Sequence, residues 1–183
     1  MSDTDRATTA PDAGTPSLDE LRQMARGTLV ERLGIELLEA GPERVVGTMP
    51  VAGNTQPQGL LHGGATVALA ETLGSYAAAL HAGPGRQAVG IEISAAHHRG
   101  VRDGVVTGRA TALHLGGTTA SYEIVVEDET ARRVCTARLT CLLMTVRGES
   151  HSPVTSDRPT TDAAAPTGAG AAPVADTAAA SRD

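Results

Sequence analysis

The pattern of apolar and polar positions predicts two helices and one strand in the first half of the chain. Ser17, followed three residues later by Glu20, forms a capping box and predicts a helix that begins at Leu18 and runs to about residue 26. Alternating side chains over 43–51 predict a strand. The Ala- and Leu-rich run over about 63–81 predicts a long apolar helix, which the Gly-Pro-Gly sequence after it ends.

Four apolar runs follow the long helix, and each predicts a strand. They span residues 87–99, 104–115, 118–129 and 132–146. Gly-containing turns and a polar loop separate them, and strands joined by such short connections are antiparallel neighbours. A long apolar helix must cover one face of the resulting sheet. The predicted fold is therefore an α+β domain, with one curved antiparallel sheet wrapped around one central helix.

Both ends of the chain lack a hydrophobic period. Residues 1–16 and 148–183 are rich in Thr, Ser, Pro, Ala, Gly and Asp. Segments of this composition bury too little apolar surface to offset the entropy lost on ordering. We therefore expect two disordered tails around a single folded domain over 17–147.

Charge and hydropathy exclude several classes of partner. The chain has 183 residues and a formal net charge of −6, and this acidic balance argues against a nucleic-acid partner. No apolar run reaches the ~20 residues that a membrane span needs, and the polar N-terminus does not resemble a signal peptide. These features predict a cytoplasmic protein without a membrane partner.

The composition also bears on the core and on assembly. The chain has no Phe, no Trp and only two Tyr, so its core must consist of small aliphatic residues. Such a chain gains its burial from many small contacts or from contacts between subunits. Cys135 and Cys141 lie six residues apart on the same face of one predicted strand, and we expect them to be unpaired core residues.

One carboxylate, Glu71, lies within the long apolar helix. A helical wheel places Gly74 and Ser75 on the same face of the helix as Glu71. We expect these small residues to leave room for water or substrate beside the carboxylate. No Lys or Arg occurs over 56–85, so Glu71 is either solvated in a cleft or supported from elsewhere in the fold. A single Glu in a helix is usually a surface residue, but desolvation among small apolar neighbours would suit this one to act as a base.

His62, Gly63 and Gly64 begin the same helix. The free N–H groups of the first turn, the helix dipole and the glycines together resemble an oxyanion hole, to which Gln56 could add an amide donor. His62 could equally be a helix cap. Gly63 lies eight residues before Glu71, about 12 Å along a helix, so one reacting group cannot contact both in one subunit. Two antiparallel helices across a two-fold axis would bring them together, which predicts a dimer with shared active sites.

The segment QPQGLLHGGATVALAETLGSYA, with the strand-rich segment that follows it, resembles the hotdog-fold acyl-CoA thioesterases over about residues 30–146. The similar branch includes the para-hydroxybenzoyl-CoA, dihydroxynaphthoyl-CoA and phenylacetate-pathway thioesterases. The resemblance implies a hotdog fold that hydrolyses an acyl-CoA with an aromatic or cyclic acyl group. It also implies a homotetramer built as a dimer of dimers. No metal or cofactor is implied, because CoA is part of the substrate.

The resemblance also implies roles for residues of the long helix and the loop before it. Glu71 matches the catalytic carboxylate, which acts either as nucleophile or as general base on water. Gly63 matches the backbone N–H that polarises the thioester carbonyl, and Gln56 the side chain that assists it. His62 matches the histidine that helps to orient the thioester. Ser75 matches a residue near the hydrolytic water.

A second group of residues is implied to bind the rest of the substrate. Gly117, Thr118 and Thr119 correspond to a turn near the CoA phosphates, and a turn rich in N–H and hydroxyl donors suits that task. Strand alternation directs one of His97 and His98 inward, and the resemblance favours His97 as the residue that faces the substrate pocket.

Other functions stay open at this point. Gln58, Ser94 and Ala96 differ from the residues usual in the resembled branch, so the acyl group is not fixed. A thioesterase acting on an acyl or polyketide chain held by a carrier protein would use the same chemistry. A hotdog dehydratase would need a Pro-Gly turn that does not precede Glu71. A non-catalytic acyl-CoA-binding hotdog protein would be expected to lack Glu71.

Overall fold

The computed structural model describes residues 16–146, so nearly all of both predicted tails lies outside the described part of the chain. The described elements, in chain order, are α1 (Leu18–Met24), α2 (Leu29–Arg32), β1 (Glu36–Ala40), β2 (Arg44–Pro50), α3 (Gly63–Ala82), β3 (Arg86–His97), β4 (Val105–Leu115), β5 (Thr119–Glu127) and β6 (Arg133–Thr145). The capping box predicted at Ser17 is present, with reciprocal hydrogen bonds to Glu20.

The six strands form one antiparallel sheet in the order β1-β2-β4-β5-β6-β3, and α3 packs against β2 to β6. This confirms the predicted α+β arrangement. Two elements, β1 and α2, were not predicted. β1 has five residues, one of them buried, and a bulge between Leu37 and Glu39, so it lacks a clean alternation. α2 has only four residues, too few to show a helical period.

The core lies between α3 and the sheet and contains mostly small aliphatic side chains. Tyr122 is its one fully buried aromatic residue within the described part of the chain, and its hydroxyl donates a hydrogen bond of 3.0 Å to the Pro42 carbonyl oxygen. Cys135 and Cys141 are both buried and unpaired, as predicted. None of the helices described over 16–146 is long and apolar enough to cross a membrane.

A pair of glycines in the sheet fixes the position of α3. Gly47 of β2 and Gly108 of β4 are direct cross-strand partners, and the side chain of Leu73 lies over both. A Cβ atom would lie 2.8 Å from Leu73 Cδ2 at Gly47 and 2.6 Å from Leu73 Cδ1 at Gly108. The absence of these two methyl groups therefore lets the centre of α3 approach the sheet, and Glu71 is only two residues from this contact.

We expect Gly47→Ala to lower the free energy of unfolding by about 1–3 kcal/mol, because the new methyl group overpacks a filled site. It would meet Leu73 and would also lie 2.9 Å from the backbone oxygen of Glu36, which cannot swing aside. Denaturant unfolding measures the change. Gly117→Ala is the matched control, since a Cβ there meets nothing within 4 Å. Equal stability of the two variants would contradict the proposed packing.

A β-bulge in β3 determines which of its side chains face α3. Gly90 pairs with Cys141 and Glu92 pairs with Thr140, so Ile91 is an extra residue in the ladder. Gly90 faces α3 before the bulge and His97 faces it afterwards. In an unbroken strand, positions seven apart would lie on opposite faces. The bulge therefore lets both residues face the same helix.

Candidate active site

A cavity of about 370 Å³ lies at the N-terminal end of α3. Gln56, Gly63, Thr66 and His97 are among the residues that line it. The His97 ring packs directly on the first residue of the helix, because a Cβ on Gly63 would lie 3.1 Å from His97 Nε2. His98 also lines this cavity, and its Nε2 atom lies 3.0 Å from the hydroxyl of Thr136. Both histidines therefore border the cavity, and His97 is the one that packs on Gly63, so a substrate-facing role for His97 alone stays a prediction.

His62 is the N-cap of α3, and its Nδ1 atom accepts a 2.8 Å hydrogen bond from the Gly64 N–H. A ring nitrogen that accepts carries no proton, so a proton on the neutral ring must be on Nε2. The side chain is exposed. The capping interpretation of His62 is thus the one seen in the single chain. Over residues 16–146 the Gly63 N–H has no hydrogen-bond partner and stays free to donate.

Glu71 lies in a second cavity, of about 460 Å³, on the exposed side of the same helix. Its walls are mainly apolar and come from α2, α3 and β3: Leu29, Val30, Ala68, Tyr76, Ala79 and Ala88. Thr72 and Ser75 add hydroxyl groups beside the carboxylate. Glu71 is exposed in the single chain, so one subunit alone does not supply the expected desolvation. Within the described residues it has no salt-bridge partner.

The two small residues predicted to lie beside Glu71 have different places in the structure. Gly74 was predicted to leave room beside the carboxylate, and this was wrong: it is buried against the sheet, where a Cβ would lie 2.6 Å from Leu139 Cδ2. Gly90 of β3 is a neighbour of the carboxylate, and a Cβ there would make an ordinary contact of 3.6 Å with Glu71 Oε1. Ser75 does line the cavity, as predicted.

The turn formed by Gly117 and Thr118, with Thr119 at the start of β5, lies near the opposite end of α3 from Gly63. The Gly116 N–H donates to the Thr119 carbonyl oxygen at 2.9 Å. His81, in the last turn of α3, donates through Nε2 to the Gly116 carbonyl oxygen at 3.0 Å. A helix of 20 residues is about 30 Å long. A single chain therefore does not bring this turn together with Gln56, Gly63 and His97.

The sequence profile of the Thioesterase superfamily matches residues 58–135. The protein named proofreading thioesterase EntH from Cronobacter turicensis is 51% identical over 129 residues, which cover 70% of this chain and 94% of that protein. This chain belongs to the thioesterase superfamily.

Solved structures agree with this assignment. Thioesterase HI1161 from Haemophilus influenzae superposes with a TM-score of 0.71 at 40% identity, over 75% of this chain and 96% of that one. A mutant of thioesterase PA1618 from Pseudomonas aeruginosa has a TM-score of 0.68 at 38% identity, over 73% and 98% of the two chains. The chain is therefore a hotdog-fold thioester hydrolase, as the resemblance implied.

Several residues around the thioesterase's cavities were missed by sequence reasoning. Tyr76 follows Ser75 directly and lines the Glu71 cavity, but the helical wheel gave it no role. Leu29 and Val30 reach the same cavity from α2, which was not predicted at all. Gly90 could have been found only from its pairing partner, which a single sequence does not show.

Proposed function

We propose that this thioesterase hydrolyses an acyl-CoA thioester whose acyl group is aromatic or cyclic, with Glu71 as the group that activates or performs the attack. The observation that carries the proposal is the cavity around Glu71. It combines one exposed carboxylate and two hydroxyl groups with apolar walls, among them the ring of Tyr76. Ligand sites are typically apolar cavities with a few convergent polar groups, and this one suits a flat apolar acyl group.

The proposed reaction needs only water and groups of this chain. The Gly63 N–H and the Gln56 amide donate to the thioester carbonyl oxygen, which becomes negative as the carbonyl carbon is attacked. Acting as a general base, Glu71 takes a proton from water, and the resulting hydroxide attacks that carbon. The carbon–sulfur bond then breaks, and the leaving thiolate takes up the proton from Glu71. As a nucleophile, Glu71 would instead attack the carbonyl carbon and expel the CoA thiolate, which takes a proton from solvent; water then hydrolyses the resulting anhydride to the free acid and the Glu71 carboxylate.

The site is proposed to be shared between two subunits. Gly63 and Glu71 open into separate cavities of one chain, about 12 Å apart along α3. A two-fold axis near Val67, midway between them, would pair each Gly63 with the Glu71 of the partner subunit. β3 supports such a dimer, because it lies at the sheet edge and exposes Val89 and Ile91.

The proposed two-fold axis also bears on CoA binding. It would place the partner subunit's Thr118, with the partner's Gly117 and the partner's Thr119, nearer to the end of α3 at which His97 of this subunit lies. The CoA phosphates would then contact the turn of one subunit while the thioester reaches the Gly63 end of the other. A dimer of dimers, which the resemblance implies, stays a prediction.

A substrate panel tests the acyl group and the thiol carrier. Thiol release is measured with benzoyl-, hydroxyphenylacetyl-, naphthoyl- and straight-chain acyl-CoA, and with the best acyl group on a phosphopantetheinyl carrier protein. We expect the highest kcat/KM with an aryl-CoA. Faster turnover of the carrier-bound ester would contradict CoA as the thiol.

Mixing two inactive variants tests the shared site. One carries Glu71→Gln and the other Gly63→Pro, and the two are unfolded and refolded together. Random reassociation makes half of the dimers mixed, and each mixed dimer has one intact site, so about a quarter of wild-type activity should return. Differential tags confirm that mixed dimers form. A mixture no more active than the separate variants, although mixed dimers are present, would rule out sharing.

A further inference from the structure

The space beside Glu71 is bounded by few large side chains. The apolar residues that α3 and β3 contribute to the cavity are alanines, apart from Tyr76. The other large apolar side chains in its wall are Leu29 and Val30 of α2. The size of an apolar cavity decides which ligand fits it. The room for an acyl group therefore depends mostly on these three larger residues.

Leu29 differs from the other two large residues in its relation to the core. Val30 and Tyr76 are partly buried and pack against the hydrophobic core. Leu29 keeps 59% of its surface exposed and is not one of the core-packed residues over 16–146. Single exposed leucines are common, so its significance comes from its place in the cavity wall. A change at Leu29 alters the cavity without removing a core contact.

Hydrogen bonds fix the beginning of α2, where Leu29 is the first residue. Thr28 is the N-cap, and its hydroxyl oxygen accepts from the Val30 N–H at 3.2 Å. The Glu31 carboxylate reaches back and accepts from the Gly27 N–H at 2.7 Å. Caps of this kind stabilise the first turn of a helix, which matters because a helix of four residues is not stable by itself.

A buried amide fixes the other end of α2. Asn54 is only 7% exposed, and its Nδ2 atom donates to the carbonyl oxygens of Leu33 at 2.8 Å and Pro50 at 2.9 Å. Leu33 is the C-cap of α2 and Pro50 is the last residue of β2, so this side chain ties the helix to the sheet. The helix that carries Leu29 is therefore held at both ends.

We propose that Leu29 is a specificity-determining residue, whose side chain limits the size of the acyl group that fits beside Glu71. The inference rests on the proposed function, because it takes the Glu71 cavity as the acyl site. A leucine on a firmly held helix contacts an acyl group that fits and obstructs a larger one, since α2 cannot move aside without losing hydrogen bonds. One methylene more or less in an apolar pocket typically changes kcat/KM by about 10–200-fold.

Two variants of opposite size test the proposal, with naphthoyl-CoA as the large substrate and benzoyl-CoA as the small one. Leu29→Ala adds room and removes a contact with the small acyl group. We therefore expect the ratio of kcat/KM for naphthoyl to that for benzoyl to rise about tenfold. Leu29→Trp narrows the cavity, and the same ratio should fall about tenfold. Partial misfolding would lower both kcat/KM values together and leave their ratio unchanged.

Leu38→Ala is the matched control. It makes the same exchange at a leucine of β1 that is 52% exposed and does not line the Glu71 cavity, so the wild-type ratio should be retained. If the wild type prefers straight-chain esters, the ratio is taken between dodecanoyl- and hexanoyl-CoA. The proposal is overturned if both Leu29 variants keep the ratio within about twofold of wild type, or if both shift it in the same direction.

The wild type separates this result from a failure of the proposed function. If it hydrolyses acyl-CoA and the ratio does not respond to Leu29, only the role of Leu29 is wrong. If it hydrolyses no acyl-CoA of either kind, both proposals fail.

Discussion

Glu71→Gln should lower kcat by about 10³-fold or more while the free energy of unfolding hardly changes. The amide has nearly the same shape as the carboxylate, but it can neither take a proton from water nor attack the thioester. The fold should tolerate the exchange, because the Glu71 side chain is exposed and has no salt-bridge partner over residues 16–146. Thiol release under saturating acyl-CoA measures kcat, and denaturant unfolding measures stability.

A second carboxylate supplies the control for this variant. Glu123→Gln removes the same charge from an exposed position on β5, where Glu123 pairs with Thr111 and Arg138 across the strands. We expect it to retain wild-type kcat. A Glu71→Gln variant that keeps a tenth or more of wild-type activity would show that the carboxylate is not required for the reaction.

Gly63→Pro should lower kcat by about 10²–10³-fold, the usual effect of losing one oxyanion-hole donor. Proline removes the N–H of the first residue of α3 and no other backbone donor, at a position at which proline suits a helix. The residue before it, His62, has φ −69° and ψ 130°, the extended backbone that a following proline requires. The helix should therefore stay intact, and circular dichroism should confirm it.

Gly63→Ala is the matched control, because it adds a Cβ and keeps the N–H. The new Cβ atom would lie 3.1 Å from His97 Nε2 in both variants, so crowding of the His97 ring by this atom is common to them. We expect alanine to be much more active than proline. Equal losses in the two variants would assign the effect to the displaced His97 ring and not to the Gly63 N–H.

The sequence predicts the long elements of the fold, because their pattern of apolar residues continues over many positions. α3 is an apolar run of 20 residues, and the four long strands each extend over nine or more residues, so their positions follow from the pattern. β1 and α2 are too short for any period to emerge. The bulge at Ile91 could not be predicted, because an extra residue is defined only against the partner strand β6.

Some residues of the candidate site are likewise predictable from the sequence, whereas others are shown only by the structure. Glu71 is evident from the sequence because it is the only charged side chain in α3, and the glycines at the start of the helix indicate its donor end. The helical wheel placed Gly74 beside Glu71, but Gly74 is buried against the sheet. A wheel shows which residues share a face of a helix but not which face the sheet covers. Gly90 is a neighbour of Glu71 although it lies on β3, nineteen residues further along the chain, a proximity that only the folded structure shows.

The placement of the two tyrosines has a practical consequence for spectroscopy. The chain has no Trp, so its intrinsic ultraviolet emission comes from Tyr76 and Tyr122 alone. Tyr76 lines the Glu71 cavity, whereas Tyr122 is fully buried in the core. Replacing Tyr122 with Phe would leave one emitter, located where an acyl group is proposed to bind. Quenching of its fluorescence would then report occupancy of the cavity directly, without an attached label and without turnover.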